Sequence, residues 1–158
     1  MNNHDGLSSH TQLSVFLVNK PGVLSQICQR LADDKINIIG MTVQDSTEHG
    51  VLRLVCEEGK KAKSSLARLN LPLSETDVLL AVLPNRPGSL ADVVERLAGH
   101  HINVNYAYCT TGSAGGKTYG VFKVSDMNRA LQVLSERKPK RKQDTSSLRN
   151  AARVGRRS

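Results

Sequence analysis

Two stretches decide the fold: NKPGVLSQICQRLADDKINI at Asn19–Ile38 and NRPGSLADVVERLAGHHINV at Asn85–Val104. They align without a gap at a shift of 66 residues and are identical at nine of twenty positions. The matches include Asn-x-Pro-Gly-x-Leu at the front and Ile-Asn near the back. Two copies of one structural unit follow from self-similarity at a fixed period.

The same local signals flank each copy. Leu13–Val18 and Val78–Leu83 are apolar and of strand length, and Pro-Gly punctuation stops them. Leu24, Ile27, Cys28 and Leu31 then form an i, i+3, i+4, i+7 stripe, as do Leu90, Val93, Val94 and Leu97. Such a helix covers one face of a sheet. Ile36–Gln44 and Val51–Glu57 read as a hairpin, and so do Ile102–Thr110 and Thr118–Val124. A second helix follows in each copy, Lys60–Leu69 and Met127–Glu136, the latter with Asp126 placed as an N-cap. Leu71–Ser74 can close the first copy.

The predicted class is α+β: two tandem ferredoxin-like βαββαβ units, their antiparallel sheets packed side by side. Expected boundaries are an N-terminal tail at 1–11, units at 12–75 and 76–136, and a tail at 137–158. The second unit lacks a clear last strand. Its place reads RKPKRKQ, without apolar alternation and with Pro139 to interrupt a ladder. Either that unit closes without the strand, or a partner supplies one.

Charge and composition narrow the function classes. The chain has 158 residues, with 22 Lys+Arg against 14 Asp+Glu, a net +8. Residues 137–158 hold nine of the basic side chains and one acid, so the whole excess lies there and residues 1–136 are electroneutral. The body therefore has no net attraction for polyanions. Cys28, Cys56 and Cys109 are widely spaced and read as reduced core residues of a cytoplasmic protein. No apolar run approaches the ~20 residues of a membrane span, and no secretory signal is visible at the N-terminus.

A 60–70-residue βαββαβ unit with Asn-x-Pro-Gly-x-Leu between its first strand and first helix resembles the ACT domain. Two of them in one short chain resemble the stand-alone tandem ACT proteins, over about residues 12–136. The resemblance implies regulatory binding of a small molecule, usually an amino acid, at interfaces between units. It implies no catalysis and no cofactor.

The residues themselves support a carboxylate site. After Asn19-Lys20-Pro21-Gly22 the chain enters a helix whose first amides lack an intrahelical acceptor and whose dipole favours an anion. Gly22 and Gly88 permit close approach to the main chain, while Asn19 and Asn85 offer both donor and acceptor. Pro at a helix start and Asn near a cap are equally ordinary helix-start chemistry. The expected contacts are Asn19, Pro21, Gly22, Val23 and Leu24 in the first copy, and Asn85, Pro87, Gly88, Ser89 and Leu90 in the second. By family analogy strand two forms the facing wall, giving Gly40 and Met41 in one copy, Asn105 and Tyr106 in the other. Tyr106 and Tyr108 share a strand face, where they line a pocket or pack under the helices.

Other signals carry less. His100 and His101 lie in a turn with no ligand spacing around them, so no metal site is expected. Gly112–Thr118 approaches a phosphate-binding loop but has Thr111 for its first glycine and precedes a strand, so it reads as a hairpin loop. The basic tail has the composition of a disordered segment. It is a solvated appendage, a nonspecific nucleic-acid contact, or a dock for an acidic partner. The reading is a non-catalytic regulatory module that binds an amino acid, forms a homodimer through sheet edges and controls a protein partner. The alternative is a homo-oligomeric adaptor working through its tail.

Overall fold

In the computed structural model, residues 6–18, 20–44, 49–110 and 118–136 are described. In chain order they form β1 (Leu7–Val18), α1 (Val23–Asp33), β2 (Ile38–Gln44), β3 (His49–Cys56) and α2 (Gly59–Ala67). The second half gives β4 (Leu73–Leu83), α3 (Ser89–Gly99), β5 (Val104–Cys109), β6 (Thr118–Val124) and α4 (Met127–Ser135). All six strands belong to one antiparallel sheet ordered β2-β3-β1-β4-β6-β5.

The α+β class and the repeat are as read, but the two sheets are one. The expected closing strand Leu71–Ser74 and the expected opening strand Val78–Leu83 are a single strand, β4, which runs through the boundary drawn at 75 and 76. Its first half, Leu73–Thr76, pairs with Val15–Gln12 and completes unit one. Its second half, Leu79–Leu83, pairs with Phe122–Thr118 of unit two.

β1 does the reverse. It begins at Leu7, inside the segment assigned to an N-terminal tail. Leu7–Thr11 pairs with Ala81–Asp77. The missing last strand of unit two is therefore supplied from within the chain, by its own first strand. Thr11 pairs with Asp77, its counterpart in the other copy, so a pseudo-two-fold axis passes through this pair.

Strand alternation sends odd-numbered residues of β1 and β4 toward the helices. Leu13, Val15, Leu17, Leu52 and Leu54 pack under Ile27, Leu31 and Leu66 of α1 and α2. Leu79, Ala81, Leu83 and Phe122 pack under Leu97, Ala130, Val133 and Leu134 of α3 and α4, with Leu7 joining this second core. Each fully buried Leu contributes roughly 1.5–3 kcal/mol before chain entropy is counted. Phe122 and Gly120 occupy the positions that Leu54 and Leu52 hold in the first copy. The Phe122 ring lies where a Cβ on Gly120 would sit, 2.6 Å away.

Both copies end their first helix alike. Lys35 and His101 have φ of 55° and 58°, and the amides of Ile36 and Ile102 bond back to Leu31 and Leu97. His101 is thus a left-handed helix stop, matched by a lysine. Asp126 caps α4 as expected, accepting from the Arg129 amide at 2.9 Å.

Candidate functional site

From Lys20 and Arg86 onward the two turns fold to the same geometry. Lys20 and Arg86 amides each bond to the carbonyl two residues back at 2.8 Å. Gly22 and Gly88 then stand as N-caps with φ of 92° and 85°, a conformation that a Cβ disfavours. Neither helix has a side-chain cap. The first intrahelical bonds are Gln26 to Gly22 at 2.9 Å and Asp92 to Gly88 at 2.8 Å. Earlier amides of each helix have no acceptor inside it. Because β1 and β4 are antiparallel neighbours, the two turns lie at opposite ends of the sheet.

The copies differ in what surrounds those amides. Arg86 pairs with Asp92 across 2.9 Å and also reaches the Pro87 carbonyl. The first copy has Lys20 and Gln26 at these positions. Val23, partly buried against the first core, is replaced by Ser89. Ser89 is 6% exposed and its hydroxyl has no hydrogen-bond partner among the described residues. A buried hydroxyl without a partner costs about 1–3 kcal/mol.

The remaining expected contacts lie as follows. Pro21, Gly22, Asn85, Pro87 and Gly88 are exposed, as are Leu24 and Leu90 at 37% and 44%; the last two leave the apolar stripes assigned to them. Asn19 lies outside the described residues. Met41 is exposed on the helix side of β2, whereas Gly40 is buried and faces Thr110, Tyr108 and Val121. Gly40, Asn105 and Tyr106 therefore gather away from the turns, on the helix-free side of the sheet.

That side is not flat. β2 and β5 stand at opposite ends of the strand order yet touch, so the sheet is coiled until its edges meet. Val55, Val78, Leu80 and Val121 form a third cluster inside the coil, with Ile39, Tyr108 and Tyr119 packed against it. Gln12 is fully buried here. It donates to the Tyr106 phenol at 2.8 Å and to Ser14 at 3.2 Å, and it accepts from the Tyr108 phenol at 3.1 Å. Burial, followed by the neighbouring Tyr106, pushes the Tyr108 phenol well above its ordinary pKa, so it remains a donor. The tyrosines do share a face, but neither packs under the helices.

Beside this network is a cavity of about 370 Å³. β1, β3 and β4 contribute Ser14, Phe16, Val51, Arg53, Ser74 and Thr76, and the second hairpin contributes Asn105, Tyr106 and Lys123. The Arg53 guanidinium lies 4.7 Å from the Tyr106 ring centroid and donates to Gln44. Lys123 donates to the Asp77 carbonyl at 3.3 Å. The sequence reading reached only Asn105 and Tyr106 of these. Arg53 and Lys123 stand on strands whose repeat alignment needs a two-residue offset, because the second hairpin is longer, and the ungapped comparison stopped short of them.

Among the described residues no group of His, Cys, Asp or Glu could hold a metal ion, and no helix is long and apolar enough to cross a membrane. Of the cysteines, none of them disulfide-bonded, only Cys56 is buried, and burial raises its thiol to about 11; Cys28 is half-buried and Cys109 exposed, which corrects the reading of all three as core.

Duplicated βαββαβ halves sharing a sheet, each with an uncapped helix behind a Pro-Gly turn, define a tandem small-domain architecture. The model of the ACT domain pair matches residues 9–147, and the chain belongs to that family. A crystal structure of a protein from Bacteroides thetaiotaomicron is similar at TM-score 0.73 and 28% identity, covering 82% of this chain and 89% of that one. The ligand-free regulatory subunit of aspartate kinase from Thermus thermophilus shares the fold at TM-score 0.60 and 13% identity, over 82% and 95% of the chains. No curated protein sequence matches this one.

Proposed function

We propose that the chain is a non-catalytic regulatory module whose helix starts bind an amino acid or a similar small carboxylate. The observation that carries this reading is Ser89. Its buried hydroxyl lacks a partner among the described residues, at the first residue of α3, where the other copy has valine; its own amide bonds to the Arg86 carbonyl at 3.3 Å, and the next amides of the helix have no acceptor within it. A ligand carboxylate would accept from both, and Asn85 would address the ammonium group. The name of the Thermus neighbour, a regulatory subunit, agrees with such a role. The first-copy turn, Asn19 to Leu24, is the weaker site because Val23 offers no hydroxyl.

The same reading includes self-association in the cytoplasm and a protein target that responds to it. Met41 and Val43, 38% and 47% exposed on edge strand β2, supply the apolar surface for a homodimer. Calorimetric titration with the twenty amino acids tests the ligand. At least one should bind, and Ser89→Val and Asn85→Ala should each weaken it; binding by none removes the proposal. Light scattering at micromolar concentration should give twice the chain mass.

A further inference from the structure

We propose that the open groove beside Tyr106, on the helix-free side of the sheet, is a second binding site, distinct from the helix starts, for a small organic anion with an apolar body. The two halves of the molecule differ at this place. Under the pseudo-two-fold axis, the Ser14–Arg53 pair corresponds to Leu80–Val121, and Tyr106–Lys123 corresponds to Gly40–Val55. Asn105 likewise corresponds to Ile39. Leu80, Val121, Val55 and Ile39 are members of, or packed against, the third apolar cluster. One place in the fold thus exists twice: at Ser14, Arg53, Asn105 and Lys123 it is polar in one half, and at the matching Leu80, Val121, Ile39 and Val55 it is aliphatic in the other, whereas Ser74, Thr76 and Val51 are matched by Ser8, His10 and Tyr119.

Packing alone does not explain the open version. Exchanging Val for Arg and Val for Lys in this wall forfeits apolar burial and sets two cations in one lining. Among the described residues no carboxylate lines the cavity to offset them. Ser14, Ser74, Thr76 and Tyr106 instead surround them with hydroxyls. Such a lining complements an anion carrying several acceptor oxygens.

The cations are also held in place. Arg53 is fixed by Gln44 and the Tyr106 ring, and Tyr106 in turn by buried Gln12. Lys123 rests on the Asp77 carbonyl. Ordering costs on binding are therefore small. Phe16, 43% exposed, and Val51 give the same cavity an apolar wall, so the favoured ligand carries a hydrocarbon portion beyond its charged head.

The test uses the full chain with three probes: 3-phenylpropanoate, its neutral amide, and inorganic phosphate. Binding is followed by titration and by NMR shifts of residues around Tyr106 and Lys123. The carboxylate is expected to bind and the amide not. Phosphate binding at the same residues would instead assign the charged head to a phosphate. Arg53→Met and Lys123→Met should each cost at least about tenfold in affinity. Ser14→Leu, which copies Leu80, should remain folded by circular dichroism and lose binding. Ser89→Val should change nothing here, separating this site from the helix-start proposal. No binding by either anion, or binding that survives both Met substitutions and Ser14→Leu, overturns the assignment.

Discussion

Gln12 and Tyr106 are joined by a 2.8 Å hydrogen bond from the Gln12 amide nitrogen to the phenol oxygen, linking the first strand of one repeat to the second strand of the other. Gln12 is fully buried and is also bonded to Ser14 and to the Tyr108 phenol. Replacing it by Leu strips three polar groups of a shared partner. We expect Gln12→Leu to cost about 2–4 kcal/mol, measured by urea unfolding. Tyr108→Phe, which removes one donor, should cost about half as much. A neutral Gln12→Leu would mean that the network is not a stabilising hub.

Strand sharing makes the chain's beginning more important to the second repeat than its end. Deleting residues 1–11 removes the ladder from Leu7–Thr11 to Ala81–Asp77 and the Leu7 contact with the second core. The expected loss is on the order of 4 kcal/mol, a fall in Tm of roughly 10 °C. Deleting residues 137–158 should leave Tm within about 2 °C, since the strand position they would fill is already taken. Calorimetry of both truncations checks this, and the reverse ranking would refute it.

Gly120 has no room for a side chain. A Cβ there would lie 2.6 Å from the ring of Phe122, which is fully buried and cannot swing away. Gly120→Ala should therefore destabilise by about 1–3 kcal/mol. Adding Phe122→Leu, which restores the residue found at Leu54, should recover part of that loss. Failure of the double variant to improve on Gly120→Ala in chemical unfolding would show that the clash is not with this ring.

His10 predicts the direction of a pH effect. Burial lowers its pKa below the ordinary 6.5, and its ring lies 3.0 Å from the Ser8 hydroxyl. The unfolded chain takes up this proton at higher pH than the folded chain, so in that window the unfolded state binds more protons and stability rises with pH. The contribution is complete above 6.5 and is lost as pH falls through the depressed folded value. Tm should drop between pH 7 and pH 5 by more in the native protein than in His10→Gln. Parallel curves would exclude His10 as the titrating group.

Much of this architecture was legible because it is local. Pro-Gly punctuation, the helix stripes and the strand runs all act over a few residues, and each appears twice. What escaped was long-range. Leu7–Thr11 reads SS-H-T after one leucine, too polar to announce a strand, and it becomes one only because β4 offers it a ladder. The helix starts were visible as motifs, but the difference between Val23 and Ser89 became meaningful only once burial was known. The cavity was hidden for a third reason. Its cations sit at alternating strand positions that look like an ordinary solvated face, and only the meeting of β2 with β5 makes that face the wall of a groove.

The exchange of strands between the halves has a consequence for how the two copies could diverge. A single repeat of this kind would complete its sheet by trading first strands with an identical neighbour. Such a pair must be equal on both sides, with two filled interiors or two open ones. Joining the repeats in one polypeptide lifts that constraint while keeping the traded strands, so one side can keep its aliphatic filling as ballast while the other gives it up. Asymmetry of this sort is available to a fused pair and closed to two copies of one gene product.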